Sequence, residues 1–195
     1  MLLAAAPAFA DQPPAFTCDG GPFSKAVTNK SLAEAFGGAN VKRASAVDEE
    51  GYRYGYTKVF PNDPKKSVSV IWFDSSDRKG PHTIVVDSGA FWVGPRGVRV
   101  GMSVEELERA NGRPFQFWNF NIDPSGMGAG EVSDWKGGAL HQIMQGCALA
   151  VTLGVADQTA FTTKFPAVEL MSNDQGVHGS GLAVRETKLL FEFGQ

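Results

Sequence analysis

The sequence predicts an α+β protein built as a tandem repeat, in which a short helical segment is followed by antiparallel strands and the helices pack on one face of a curved antiparallel sheet. Three observations carry this expectation. The chain has 23 glycines and 14 phenylalanines and many short alternating runs, a pattern of strands and turns rather than of long helices. One helix is signalled at both ends by its own residues. The same signal stands once more in register, 75 residues earlier in the chain.

The signalled helix comes first in the argument. Ser103 stands where an N-cap hydroxyl accepts from an unpaired amide of the first turn, and Glu106 is placed to reach back to the Ser103 amide. Met102 and Leu107 hold the positions of a hydrophobic staple, Gly112 supplies a left-handed stop, and Pro114 prevents continuation. These residues predict a helix over 104–111. At the 75-residue offset Val27 falls on Met102, Thr28 on Ser103, Leu32 on Leu107, Phe36 on Asn111 and Gly37 on Gly112, which predicts a second helix near 28–36. Phe60 precedes Trp135 by the same interval, each ahead of a turn-rich stretch.

In chain order, residues 1–10 are Leu/Ala-rich and close on Ala8-Phe9-Ala10, the small-x-small pattern of a signal-peptidase site; they read as the remnant of a signal peptide. An N-terminal arm follows at 11–21, then repeat 1 at 22–96 and repeat 2 at 97–195, the two sharing one core. In repeat 1, Tyr52, Tyr54 and Tyr56 alternate with Arg53, Gly55 and Thr57, so period two places the tyrosines on one strand face. Strands at 67–73 and 82–86 complete three strands after one helix. In repeat 2, 115–122 reads as a strand with Trp118, Phe120 and Ile122 on one face. A Gly-rich loop spans 123–130, and strands follow at 132–135, 140–143 and 147–153. The tail 182–193 sets Arg185, Thr187 and Leu189 opposite Glu186, Lys188 and Leu190, and closes the sheet at an edge or at the repeat junction.

The motif Gly101-Met102-Ser103, with Glu106, Leu107, Gly112 and Pro114 leading into strands, resembles the superfamily of beta-lactamase-inhibitor-protein-like domains and SmpA/OmlA-type envelope lipoproteins. The inhibitor proteins are tandem repeats of about this length, so the resemblance covers most of 22–155. It implies an extracytoplasmic protein that binds another protein. The chain has two cysteines, too few for a disulfide in each repeat, and Ala15-Phe16-Thr17 before Cys18 is not a lipobox. In an oxidising compartment Cys18 and Cys147 are expected to pair.

Chemistry narrows the function further. A net charge of −3 with interleaved signs gives no nucleic-acid footprint, and no apolar run is long enough to span a membrane. His82, His141 and His178 are far apart in sequence, none at metal-ligand spacing from another. Gly179-Ser180-Gly181 lacks the context of a nucleophile elbow. Asn121 to Glu131 departs from a calcium loop, because its twelfth residue is Val132. No cofactor, metal or catalytic residue is therefore expected. The sequence predicts an exported, periplasmic, non-enzymatic protein that recognises another protein or an envelope component through its sheet face and loops. Its binding residues are expected to be Tyr52, Tyr54, Tyr56, Trp118, Asp123 and Glu131, since Tyr and Trp bring large rigid area at small entropic cost. Two alternatives stand beside this: an inhibitor of a secreted hydrolase presenting the loop 123–131, and a small-ligand binder or hydrolase using His178 or His141.

Overall fold

The computed structural model describes residues 15–48, 50–74, 76–86, 89–121, 128–142, 144 and 146–191. The expected leader, most of the Gly-rich loop with Asp123, and the end of the tail lie outside the described residues. In chain order, α1 (Asn29–Phe36) precedes β1 (Val41–Val47), β2 (Arg53–Val59), β3 (Val68–Asp74) and β4 (Lys79–Val86). Then come α2 (Val104–Asn111), β5 (Gln116–Trp118), β6 (Val132–Asp134), β7 (Ala148–Gly154), α3 (Gln158–Lys164), β8 (Glu169–Met171) and β9 (Ala183–Leu190). The protein is α+β, and every pairing between its strands is antiparallel.

Both anticipated helices form, and each closes a reciprocal cap. At α2 the Ser103 hydroxyl accepts from the Glu106 amide at 3.3 Å and Glu106 accepts from the Ser103 amide at 2.8 Å. At α1 Ser31 fills the glutamate's role for Thr28, with bonds of 3.1 and 2.9 Å. Gly112 ends α2 at φ 77°, where a residue with a Cβ would be strained. Leu32 and Leu107 are fully buried.

The main sheet runs β1-β2-β3-β4-β9-β7, and a smaller one runs β6-β5-β8. An isolated bridge from Glu131 to Thr152 joins the approach to β6 onto β7. Period two splits the main sheet. Thr57, Val59, Val70, Trp72, Ile84, Val86, Thr187 and Leu189 point into the core. α1 is tied to that face, because Trp72 Nε1 donates to the Thr57 hydroxyl at 3.0 Å and that hydroxyl donates to Asn29 Oδ1 at 2.8 Å. The alternate residues form an outer face. Within the core, Phe16, Phe23, Phe36, Phe60 and Trp92 interlock with ring centroids 5.2–6.0 Å apart. The expected disulfide between Cys18 and Cys147 is present, joining the arm to the entry of β7 across 129 residues of sequence.

Several local expectations are corrected. Four strands, not three, follow α1: β1 was invisible because Val41-Lys42-Arg43-Ala44-Ser45 does not alternate, and it stands at the sheet edge where neither face is fully covered. The strand expected over 115–122 stops at Trp118, where buried Asn119 turns its amide to the carbonyls of Phe165 and Ala167 at 2.6 and 2.8 Å. Phe120 therefore does not share a strand face with Trp118. Of the strand expected at 140–143, residues 140–142 are instead a turn, where the Leu140 amide donates to Asn111 Oδ1, and residue 143 lies outside the described residues. α3 and β8 were not anticipated. β9 lies inside the sheet between β4 and β7, so of the two places expected for the tail the edge is excluded.

Candidate binding surface

The outer face can be read off the strand registers row by row. One row crosses the sheet as Ala44, Tyr56, Ile71, Thr83, Leu190 and Ala148. Two residues along, the next runs Lys42, Lys58, Ser69, Val85, Lys188 and Ala150. Beyond that, Glu186 pairs with Thr152, and Thr152 bridges to Glu131. At the opposite end Tyr54 sits across from Ala46, and the rings of Phe73 and His82 meet edge to face at 4.7 Å. The face thus grades from an aromatic end, through an aliphatic middle, to a charged end.

A groove of about 670 Å³ occupies this face. Its apolar wall includes Tyr54, Ile71, Phe73, Val85, Ala150 and Leu190, with Thr83, His82, Asp48, Glu131 and Lys188 as its polar groups. An adjoining hollow of about 240 Å³ shares Tyr54, Ile71 and Val85 with it and reaches Tyr56 and Lys58. Leu190 is 38% exposed although it lies in an interior strand. Lys188 is half-buried and held between two carboxylates, Glu186 at 2.9 Å and Glu131 at 3.4 Å. Burial alone pushes its ammonium down, but the hydrogen bond and charge of Glu186, joined by Glu131, outweigh this and hold its pKa above the usual lysine value.

The residues expected from sequence are distributed unevenly over this surface. Tyr54 and Glu131 line the groove and Tyr56 lines the hollow, the two tyrosine rings lying 6.3 Å apart. Tyr52 precedes β2 at the hairpin tip and is 72% exposed, its amide held by Asp48 Oδ1 at 2.7 Å. Trp118 belongs to the small sheet and is not among the groove's lining residues; its amide donates to the Glu131 carbonyl at 2.9 Å. Asp123 lies outside the described residues. Ile71, Phe73, His82, Val85, Lys188 and Leu190 were not anticipated as site residues. The alternation of the tail did place Lys188 and Leu190 on one face, but nothing local announced that β9 would lie beside β4.

Neither His178 nor His141 has a hydroxyl at hydrogen-bond distance of its ring among the described residues. His178 Nε2 lies 3.2 Å from Glu108 Oε2. The buried Ser172 hydroxyl donates to that same oxygen at 2.6 Å and accepts from the Phe115 amide. The serine proton is thus committed to a carboxylate rather than offered to an imidazole. His141 is exposed in a turn. Among the described residues no three His, Cys, Asp or Glu side chains stand together as metal ligands would. Comparison with family models, with curated proteins and with solved structures finds no match to this chain.

Proposed function

We propose that this chain is an exported, non-enzymatic binding protein that receives another protein, or a component of the cell envelope, on the outer face of its main sheet. The groove is the observation that carries the reading. It combines a half-buried apolar wall with tyrosines and a few fixed charges, the composition of a recognition surface rather than of a solvated sheet face. Tyr54 and Tyr56 are half-buried on this face, and solvent or a partner would satisfy their hydroxyls without a buried bond. Export to an oxidising compartment such as the periplasm fits the disulfide. Among the described residues no helix is long and apolar enough to cross a membrane.

The tandem-repeat reading belongs to the same proposal, with units at 22–96 and 97–195. What supports it is a shared wiring. Thr28, the cap of α1, bridges to Lys79, the first residue of β4, and Ser103, the cap of α2, bridges to Ala183, the first residue of β9. The next amides repeat the match, Asn29 donating to the Arg78 carbonyl and Val104 to the Leu182 carbonyl. β4 and β9 pair with each other, so β1-β2-β3-β4 on one side faces β9-β7-β6-β5 on the other. On this reading α3 and β8 are an insertion between the last two strands of the second unit.

The test uses immobilised protein and envelope extract. Wild type is expected to retain a partner that Tyr54→Ala releases, with a loss of ~1–3 kcal/mol in affinity typical of an aromatic contact residue, while circular dichroism shows an unchanged fold. A partner held equally by both proteins would place recognition elsewhere.

A further inference from the structure

The groove carries an imbalance of charge that its occupant must match. Asp48 and Glu131 line it, and Glu186 stands beside Glu131 across Thr152. Against these carboxylates the groove sets one ammonium, Lys188, already shared between Glu186 and Glu131. Lys58 stands on the far side of the face, where it lines the adjoining hollow and donates to Ser69 at 2.9 Å. A carboxylate offers about four lone-pair sites, and Glu131 presents a single contact of 3.4 Å to Lys188, so its acceptor capacity toward the groove is far from filled. His82, the remaining titratable lining residue, sits at the aromatic end with its Nδ1 2.7 Å from the Thr83 hydroxyl.

Resting on the binding reading above, we propose that the groove takes an extended segment of the partner protein carrying an apolar side chain and, four residues on, a lysine or arginine. The spacing follows from the sheet itself. Leu190 and Glu186 are four residues apart on β9, and Glu186 is in line with Glu131. A segment laid along the strand direction rises about 3.3 Å per residue, so positions four apart meet these two rows, about 13 Å from one another. Its first side chain covers Ile71 and Leu190. Its middle one lies over Val85, Ala150 and the aliphatic stem of Lys188. Its basic head meets Glu131, whereas an acidic head there would face two carboxylates and gain only what Lys188 has left to give.

Two soluble heptapeptides test this, acetyl-SLTVTKT-amide and acetyl-SLTVTET-amide, titrated into isotopically labelled full-length protein and followed by amide shifts and fluorescence anisotropy. The lysine peptide is expected to bind about tenfold more tightly and to move the amides of Glu131, Lys188 and Leu190. Glu131→Gln should bring the two peptides within about twofold of each other, and Glu131→Lys should reverse the preference. Equal binding of both peptides to wild type at these amides would overturn the charge inference and leave the groove reading standing. Binding that moves other amides, or no binding by either peptide, would overturn the inference outright, and the Tyr54→Ala capture experiment then decides the broader reading by itself.

Discussion

Asn111 shows how much one buried polar side chain organises. It is 1% exposed in the last turn of α2, and its Nδ2 donates to the carbonyls of Arg113 and Trp135 while its Oδ1 accepts from the Leu140 amide. Gly138 lies so close over it that a Cβ there would run into the Asn111 amide group. Truncation leaves the Arg113 carbonyl and the Leu140 amide without these bonds, each worth about 1–3 kcal/mol when buried, while the Trp135 carbonyl keeps the Gly138 amide. Asn111→Ala is therefore expected to cost ~2–4 kcal/mol in urea unfolding, and Gly138→Ala to cost a comparable amount by collision. A change under 1 kcal/mol for Asn111→Ala would show that water replaces the side chain. The sequence placed Asn111 at the position held by Phe36 in the first helix, which foretells burial. It could not foretell the polar role, because the Trp135 carbonyl and the Leu140 amide that Asn111 satisfies lie over 20 residues further along the chain. The same limit hid part of the site: Tyr54 and Glu131 were legible as a tyrosine row and a loop acid, whereas Ile71, Lys188 and Leu190 became neighbours only through strand pairing.

At the level of elements, what was legible was what is local. Caps, staple and stop lie within ten residues of one another, so α2 was read to its last residue. β8 draws its order from β5, distant in sequence; β1 pairs with the next strand, β2, but lacks the alternation that would announce it, and α3 rests on the single cap from Asp157 to the Ala160 amide. The first turn of α2 also holds a distant loop, since Glu105 accepts from the Gly179 amide at 2.6 Å. Burial raises the Glu105 pKa, but hydrogen bonds from Ser103, its own amide and Gly179, with the nearby His178, outweigh this and set it below the usual glutamate value. The sign follows directly. A carboxylate with a lower pKa folded than unfolded stabilises the protein above its unfolded pKa, roughly 4.3, and that contribution disappears as pH falls through the folded value. The Gly179 amide resonance is expected to titrate with a midpoint below about 4.3, and Glu105→Gln to abolish that titration while leaving the signal of Tyr54 in place. A Gly179 signal flat down to global acid unfolding would mean that the loop is held without this carboxylate.

Across the whole molecule, the disulfide and the groove belong to different parts. The disulfide fastens the N-terminal arm, which also docks through the Phe16 amide on the Val93 carbonyl at 2.8 Å and through the Phe16 ring against Phe23 in the aromatic core. Its other end enters β7 at Cys147, just before Ala148. The groove lies on the opposite side of the main sheet and takes its residues from the strands and the hairpin tips, none from the arm. Closing a loop of 129 residues restricts the unfolded chain strongly, which in the chain-entropy model is worth roughly 4–5 kcal/mol. The paired variant Cys18→Ser and Cys147→Ser should therefore lose ~2–5 kcal/mol in urea unfolding, the lower figures applying if the arm stays docked through Phe16. Below the unfolding transition its affinity for the lysine peptide should stay within about twofold of wild type, since neither the row Ile71–Leu190 nor the pair Glu131–Lys188 depends on the arm. Weakened peptide binding by a variant that is still folded would instead mean that the arm and the face form one mechanical unit, with β7 as the element that couples them.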